Sequence, residues 1–310
     1  MKRFIITIIV SVVVLYGINL GVDVYVSHRL QQCQEQKFVG WSDITQKQLD
    51  ADLVIVGSSR AWVQYDPAIL DSILGVNSYN LGMDGSKLNR QVLKYNVFNH
   101  YQNTKPKYII VNMDCFCASE WTYGYMREQF FPYMFSPYMR NEILKHEPFT
   151  RAELYIPLYR YTTYKGVLAM LKESKYDDKL YKGYLGQDSE WNGSIFDPDE
   201  VIHFVVEKKV WHVFEEFLDE RYQEGIQVIF CYAPIYAGVT AKLDNCDEMY
   251  AAYQGLADKY NIPIIDFNDS EKCSDTTFFY NDTHMNRKGA EWFTTQLAYQ
   301  LDSLGVIHAK

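Results

Sequence analysis

The longest unbroken apolar pattern in the chain comes first. From Phe4 to Val22, nineteen residues carry no charge, and Lys2 and Arg3 stand before them. At about 1.5 Å per residue, a helix of that length crosses the roughly 30 Å hydrocarbon layer of a bilayer. A cleaved signal peptide begins the same way, but Val24-Tyr25-Val26-Ser27-His28 offers no A-x-A-like cleavage site. Leu30-Gln31-Gln32-Cys33 also lacks the small residues of a lipoprotein cleavage box. The pattern therefore predicts one uncleaved membrane anchor over residues 1–29, then a polar stalk with a short helix over 30–50. Arg29 and Lys37 follow the span and weaken the charge bias. The arrangement expected is a short tail inside and a large extracytoplasmic C-terminal part.

Beyond residue 50 the periodicity changes. Leu53-Val54-Ile55-Val56 is a short continuous apolar run closed by Gly57, the pattern of a strand buried on both faces. Further strand candidates are Val76 to Leu81, Tyr108 to Val111, Gln227 to Tyr232 and Ile262 to Phe267. Between them lie helical patterns. In 202–222 the residues Phe204, Val205, Trp211, Phe214, Phe217, Leu218 and Tyr222 approximate one face, and Gly225 stops it. Strands alternating with helices predict an α/β fold, a three-layer α/β/α flavodoxin-like parallel sheet over residues 51–310. One stretch breaks the rhythm. Residues at about 118–200 far exceed an ordinary connection and form an aromatic-rich insertion. It holds Trp121, Tyr123, Tyr125, Phe130, Phe131, Tyr133, Phe135, Tyr155, Tyr159, Tyr161 and Tyr164. Two readings stand: a helical subdomain with its own core, or a lid or acceptor groove at a strand end.

Composition narrows the function. The 310 residues are 48% hydrophobic and 22% charged, an ordinary globular balance for one or two domains. A net charge of −9 opposes an electrostatic grip on nucleic acid, so no nucleic-acid partner is expected. Six cysteines without a CxxC pair suggest neither a disulfide scaffold nor a zinc site, and Cys115 and Cys117 read as small apolar fillers near a strand end. No phosphate-binding loop, dinucleotide fingerprint or metal-ligand cluster stands out, so no cofactor is expected. The 26 Tyr and 17 Phe suit broad semi-polar surfaces of the kind on which sugars stack.

Candidate chemistry gathers at strand ends. Gly57-Ser58-Ser59-Arg60 leads from the first strand into a helix start, where backbone N–H groups favour developing negative charge, although Ser is equally at home there as a plain N-cap. Asp282-Thr283-His284 precedes a helical pattern over Ala290 to Leu304. A carboxylate against one imidazole nitrogen leaves the other free for a nucleophile. A parallel sheet carries such loops to one edge, so Ser59 and His284 can meet across 225 residues. Asn80-Leu81-Gly82-Met83-Asp84-Gly85-Ser86 ends the second strand at that edge, either as a turn or as a backbone donor to an oxyanion.

Together, Gly-Ser-Ser at 57–59, Asn-Leu-Gly-x-x-Gly at 80–85 and Asp-Thr-His-x-Asn-x-x-Gly at 282–289 resemble the SGNH (GDSL-like) hydrolase superfamily. The likeness spans roughly residues 50–305 in short blocks. It implies Ser59 as nucleophile and His284 as base, with Gly85 as the oxyanion glycine. Asp282 and His284 resemble the Asp-x-His of the alginate O-acetyltransferase branch, whereas the commoner Asp-x-x-His spacing would put Asn281 at the acid position. The family's Gly-x-Asn after the third strand is replaced by Val111-Asn112-Met113-Asp114. Asn112 is the expected amide donor to the oxyanion, since an ionised Asp114 in that place would oppose it. Gly-Ser-Ser behind a membrane anchor also looks like the proteins that assist D-alanine transfer to teichoic acids.

The resemblance implies a serine esterase or O-acyltransferase working through an acyl-enzyme. Its substrate would be an acylated envelope glycan or small acyl ester, and a membrane protein would be a possible acyl donor. The alternative from another class is a non-catalytic relative that binds polysaccharide or scaffolds envelope assembly.

Overall fold

The structure, a computed structural model, describes residues 1–33, 36–119, 126–163, 166, 180–193, 197, 199 and 201–307. The chain divides into two compact units, one of Met1–Gln46 with Gly124–Asp177 and one of Lys47–Tyr123 with Asp178–Lys310.

The larger unit holds the sheet. Its strands are β1 (Leu53–Val56), β2 (Ser78–Asn80), β3 (Tyr108–Asn112), β6 (Gln227–Tyr232) and β7 (Ile264–Asp266), all parallel in the order β2-β1-β3-β6-β7. Leu53–Val56 of β1 and Ile109–Val111 of β3 are apolar at every position, which suits a strand covered on both faces, whereas β2 reads Ser-Tyr-Asn and is buried all the same. On one face, Leu53, Ile55, Ile110 and Ile229 pack with Ala61 and Tyr65 of the α3 region (helix Ser59–Gln64), Leu70 and Leu74 of α4 (Pro67–Leu74), and Phe293, Leu297 and Leu301 of α11 (Arg287–Ser303). On the other face lie α5 (Leu88–Tyr101), α8 (Lys208–Gln223) and α10 (Cys246–Tyr260). There Tyr95 meets Phe217 at 5.1 Å, and Phe214 stacks on Phe230 at 6.2 Å. The α/β fold with three layers is as the sequence predicts.

Helix α8 starts at Lys208 rather than 202. The residues before it are held in extended form: Ile202 bridges Leu243, Val206 bridges Ser119, and the Phe204 N–H donates to Asn245 Oδ1 at 3.0 Å. Apolar periodicity continued past the true start because Phe204 is buried in that extended segment against Phe116.

Beyond the strands, their pairing continues at the C-terminal edge. The Leu81 N–H reaches Ile55 O at 2.8 Å, Met83 N–H reaches Gly57 O at 3.2 Å, and Met113 N–H reaches Cys231 O at 2.9 Å. These bonds hold the loop after β2 against β1 and its following loop, and the start of the loop after β3 against β6. At the β2 edge a hairpin of β4 (Leu180–Tyr181) and β5 (Tyr184–Leu185) turns through Lys182 and Gly183, both at positive φ. Its Lys182 carbonyl accepts the Asn80 N–H at 2.9 Å, and Lys182 Nζ binds Asn77 Oδ1 at 2.7 Å.

The smaller unit is built on α1 (Lys2–Gln31), whose residues up to Val22 are all exposed. From Asp23 onward one face, Asp23, Val26, Ser27 and Leu30, is buried. Asp23 Oδ2 accepts from Arg160 Nη1 at 2.9 Å and from the Leu158 N–H at 2.8 Å, while Ser27 Oγ meets the Tyr161 hydroxyl at 2.8 Å. Residues 30–50, expected as a stalk, contain α2 (Gln36–Gln46) with Phe38, Trp41 and Ile44 buried. Trp41 Nε1 donates to Gln129 Oε1 at 2.8 Å and its ring lies 5.5 Å from Phe130. The described aromatics Phe131 and Tyr161 form a core with Val26, Leu30 and Phe38. Within this unit they read as a subdomain core. Trp121, Tyr123, Tyr125 and Tyr164 lie outside the described residues.

Candidate active site

The first strand delivers two adjacent serines to different tasks. Gly57 leaves no room for a side chain: a Cβ there would stand 2.5 Å from Ala61 Cβ and 2.8 Å from Asn112 Cβ. Ser58 is then the N-cap of α3, with Oγ accepting the Arg60 N–H at 3.4 Å and donating to Asp114 Oδ2 at 3.0 Å. Ser58 is buried, whereas Ser59 stays partly open to solvent. The Ser59 hydroxyl stands 2.7 Å from His284 Nε2.

The loop before α11 fixes the imidazole. Asn281 Oδ1 accepts the backbone N–H groups of Thr283 at 3.0 Å and His284 at 2.9 Å. Two N–H donors require the amide oxygen at that end, so the orientation of the Asn281 amide is determined. The same oxygen lies 3.0 Å from His284 Nδ1, and Thr283 Oγ1 lies 2.8 Å from it while bonding Asn281 Oδ1 at 3.1 Å. With acceptors on that side, Nδ1 carries the proton, and the lone pair of Nε2 faces Ser59. Tyr280 stacks on the ring at 5.4 Å and 10°. Asn286 caps α11 through Gly289 N–H at 3.0 Å, which holds the loop at its far end.

Asp282 sits differently from the Asp-x-His expectation. Its side chain is buried, its carbonyl accepts the Tyr236 N–H at 3.1 Å, and the partners of His284 Nδ1 are Asn281 and Thr283. The physical reason lies in the turn. Asn281 Oδ1 folds forward onto the N–H groups two and three residues on, which carries the residue three before the histidine, and not the one two before it, to the ring.

Electrostatics favour a neutral base. Burial pushes the His284 imidazole down to about 3, and the Arg60 charge adds to the shift. Arg60 is itself buried, with Nη1 3.7 Å from Asp114 Oδ2 and Nη2 donating to the Ala233 carbonyl. Asp114 Oδ1 accepts the Phe116 N–H at 3.1 Å. Asp114 thus pairs with Arg60 and takes hydrogen bonds from Ser58 and Phe116.

Of the expected oxyanion donors, Asn112 is 1% exposed and its Oδ1 accepts the Tyr65 hydroxyl at 2.9 Å; its Nδ2 has no partner among the described residues. Gly85 has φ +57, a backbone conformation that glycine adopts without strain. Neither makes a hydrogen bond to Ser59 or His284. The structure therefore brings Ser59, His284 and Asn281 into contact, leaves Gly85 on the loop after β2 and Asn112 at the end of β3, and places no Asp282 atom against His284 Nδ1. The Arg60–Asp114 pair and the tie from Ser58 to Asp114 went unread in the sequence, because nothing in local spacing links residues 58 and 114.

A three-layer α/β protein with a serine–histidine pair at the C-terminal edge of its sheet is the class that fold and geometry define. No known protein-family profile matches the chain, and no curated protein sequence does. Among solved structures, 27 chains are similar. One, from Bacteroides fragilis NCTC 9343 and classed provisionally as an acylhydrolase, is 11% identical over 80% of this chain and 86% of its own, with a TM-score of 0.37. A family two carbohydrate esterase from Clostridium thermocellum, solved with cellohexaose, is 11% identical over 84% of this chain and 66% of its own, TM-score 0.38. An acetyl xylan esterase from the rumen bacterium Butyrivibrio proteoclasticus is 10% identical over 83% and 65%, TM-score 0.38. The chain spans just under two thirds of the length of these two esterases.

Proposed function

We propose that this protein is a membrane-anchored serine hydrolase or O-acyltransferase of SGNH type, acting on acyl esters of cell-envelope glycans. The observation that carries the reading is the 2.7 Å approach of Ser59 Oγ to His284 Nε2, with Nδ1 held on its far side by Asn281. That is a nucleophile, a base and an orienting group in sequence.

In this mechanism His284 Nε2 takes the Ser59 proton as Oγ attacks the ester carbonyl. The tetrahedral oxyanion is met by the backbone N–H groups of Ser59 and Gly85, with Asn112 Nδ2 as third donor. Neither N–H has an acceptor among the described residues. The imidazolium passes its proton to the departing alcohol, leaving an acyl ester on Ser59. Water releases the acyl group in a hydrolase; a sugar hydroxyl takes it in a transferase. Asn281 in place of a carboxylate holds the tautomer but leaves the imidazolium less stabilised. This favours a slower base than an Asp would give, and it is the observation behind the second reading, a glycan-binding relative without turnover.

The apolar first helix supports an N-terminal anchor, and an extracytoplasmic larger unit is part of the same proposal. Its continuation through the buried Asp23 into a folded core argues for an uncleaved span, since removal of the helix would strand the Arg160 charge. An acylated envelope glycan is then the natural substrate, and a membrane protein the natural acyl donor.

The test is labelling of the full chain with a fluorophosphonate probe, with Ser59→Ala as control. Labelling of the wild type alone supports an activated Ser59. A folded wild type that resists the probe, yet retains glycan binding in the Ser59→Ala variant, overturns catalysis in favour of the binding reading.

A further inference from the structure

The smaller unit follows α1 far into its uncharged stretch. Three contacts trace the path. Tyr16 donates its hydroxyl to the Tyr155 carbonyl at 2.9 Å, Asp23 accepts from Leu158 and Arg160, and Ser27 meets Tyr161. Residues 155–161 thus run alongside the helix from Tyr16 to Ser27, with Tyr155 at the apolar end. Tyr16 lies six residues before Val22, the last residue of the uncharged stretch, or about 9 Å along a helix axis. If Phe4–Val22 fills the hydrocarbon layer, Tyr155 enters it by about 9 Å, while Leu158 to Tyr161, level with Asp23 to Ser27, stand at its headgroup boundary.

The side chains there suit that depth. Tyr155 is 60% exposed, Ile156 53%, Tyr159 43% and Phe135 43%, a cluster of large apolar groups. Tyr155 and Ile156 offer apolar surface to the hydrocarbon, and Tyr159, between two residues bonded to Asp23, stands where interfacial aromatic belts hold a ring in the apolar zone and a hydroxyl in water. Arg140 lies over the Tyr155 ring at 5.2 Å, and Arg151 and Lys145 are exposed nearby in sequence. Such cations extend their charged ends towards headgroups. The Tyr155 carbonyl, one of the last of α7 (Arg151–Tyr155), takes its hydrogen bond from a side chain of α1 itself. A backbone acceptor left open at that depth would find no donor in the lipid, and the Tyr16 hydroxyl supplies one.

We propose that residues 155–159, with Phe135, form a second membrane-contacting element that seats the smaller unit in the headgroup layer beside α1. The proposal rests on α1 being a membrane span, and a lipid surface is the occupant because the patch starts at Tyr155, which is bonded to Tyr16 within the exposed apolar stretch of that helix.

The test uses the full chain in vesicles of phosphatidylcholine and phosphatidylglycerol. All six native cysteines are buried, so a cysteine at an exposed position takes an environment-sensitive fluorophore selectively. Labels go on Ile156→Cys, on Tyr159→Cys in case the first variant fails to fold, and on Val13→Cys within the helix. Quenching by doxyl-phosphatidylcholine is compared with quenching by aqueous iodide. The expected result at 156 or 159 is severalfold stronger quenching by the lipid-borne group. Stronger quenching by iodide overturns the proposal. Quenching by neither also overturns it and points to a protein covering the patch. The label at Val13 separates the two failures: no lipid quenching there removes the membrane span itself, whereas lipid quenching at 13 alone removes only the second contact.

Discussion

Replacing Asn281 by aspartate is the perturbation most directly read from the geometry. The side chain keeps its shape, and Oδ1 keeps the N–H groups of Thr283 and His284 and the Thr283 hydroxyl. What changes is a negative charge beside Nδ1, where the amide oxygen stands at 3.0 Å. Two unit charges centred about 4 Å apart at an effective dielectric constant near 20 attract by about 4 kcal/mol. At about 1.4 kcal/mol per pH unit this is an upper bound of about three units on the imidazole. Placing a carboxylate at a position only 9% exposed takes back part of that gain, although the three donors to Oδ1 favour its ionised form. A net rise of about one to two units in the His284 pKa is expected from these opposing effects. The same charge stabilises the imidazolium in the transition state, so kcat/KM rises by about ten- to a hundredfold on the plateau. The assay is hydrolysis of 4-methylumbelliferyl acetate across the acid and neutral range. In the wild type the acid limb lies well below the ordinary histidine range, because burial and Arg60 hold the ring neutral. In Asn281→Asp it moves up and the plateau rises. A folded variant with an unmoved limb and no gain refutes the assignment of His284 as the base and Asn281 as its partner.

Other outcomes follow from the same contacts. Ser59→Ala and His284→Ala should each lower kcat by at least about a thousandfold with the fold retained, measured on the same ester. Asn281→Ala, which removes the acceptor for Nδ1, should cost more activity than Asp282→Asn; the opposite ranking would restore the Asp-x-His reading. Ser58→Ala should lower stability by about 1–2 kcal/mol in a denaturant titration through loss of the cap and the bond to Asp114, with probe labelling of Ser59 retained. Arg160→Met should destabilise the smaller unit by about 3–5 kcal/mol, because Asp23 is left buried without its cation; the readout is the first transition in thermal unfolding. His284 also makes stability depend on pH. The unfolded ring binds a proton below about 6.5 while the native ring stays neutral down to about 3, so stability falls as pH drops through that window. The slope from this one group is about 1.4 kcal/mol per pH unit, and His284→Gln should remove it.

Much of the fold was legible because the sheet is parallel and covered on both faces. Leu53 to Val56 and Tyr108 to Val111 are apolar at every position, and burial on both sides is the condition that writes such runs. Helix α8 was read too long at its start, since Phe204 supplies apolar spacing while its backbone is held by Asn245. A short helix was expected within 30–50 and α2 is there, but its buried face was not legible, for a related reason. Phe38, Trp41 and Ile44 are scattered among polar residues, and their burial depends on partners some ninety residues away, such as Gln129 and Phe130. Ser59 and His284 were readable from strand-end motifs. The choice between Asn281 and Asp282 was not, because a carboxylate two residues from the histidine is chemically the better partner and only the turn geometry decides against it. The Arg60–Asp114 pair belongs to the same class: it exists only once β1 and β3 lie side by side.

The hairpin at β2 bears on any shortened version of this protein. Strand β2 ends the sheet on one side, and an uncovered parallel edge is a template for pairing with other chains. The turn at Lys182 and Gly183 occupies that edge so closely that a Cβ on Gly183 would stand 2.0 Å from the Asn80 carbonyl. A deletion drawn around the whole aromatic-rich stretch, ending at 200, would take this cover away and leave an edge prone to self-association. A deletion that stops before 180 would keep it, so solubility should change abruptly between two boundaries about twenty residues apart.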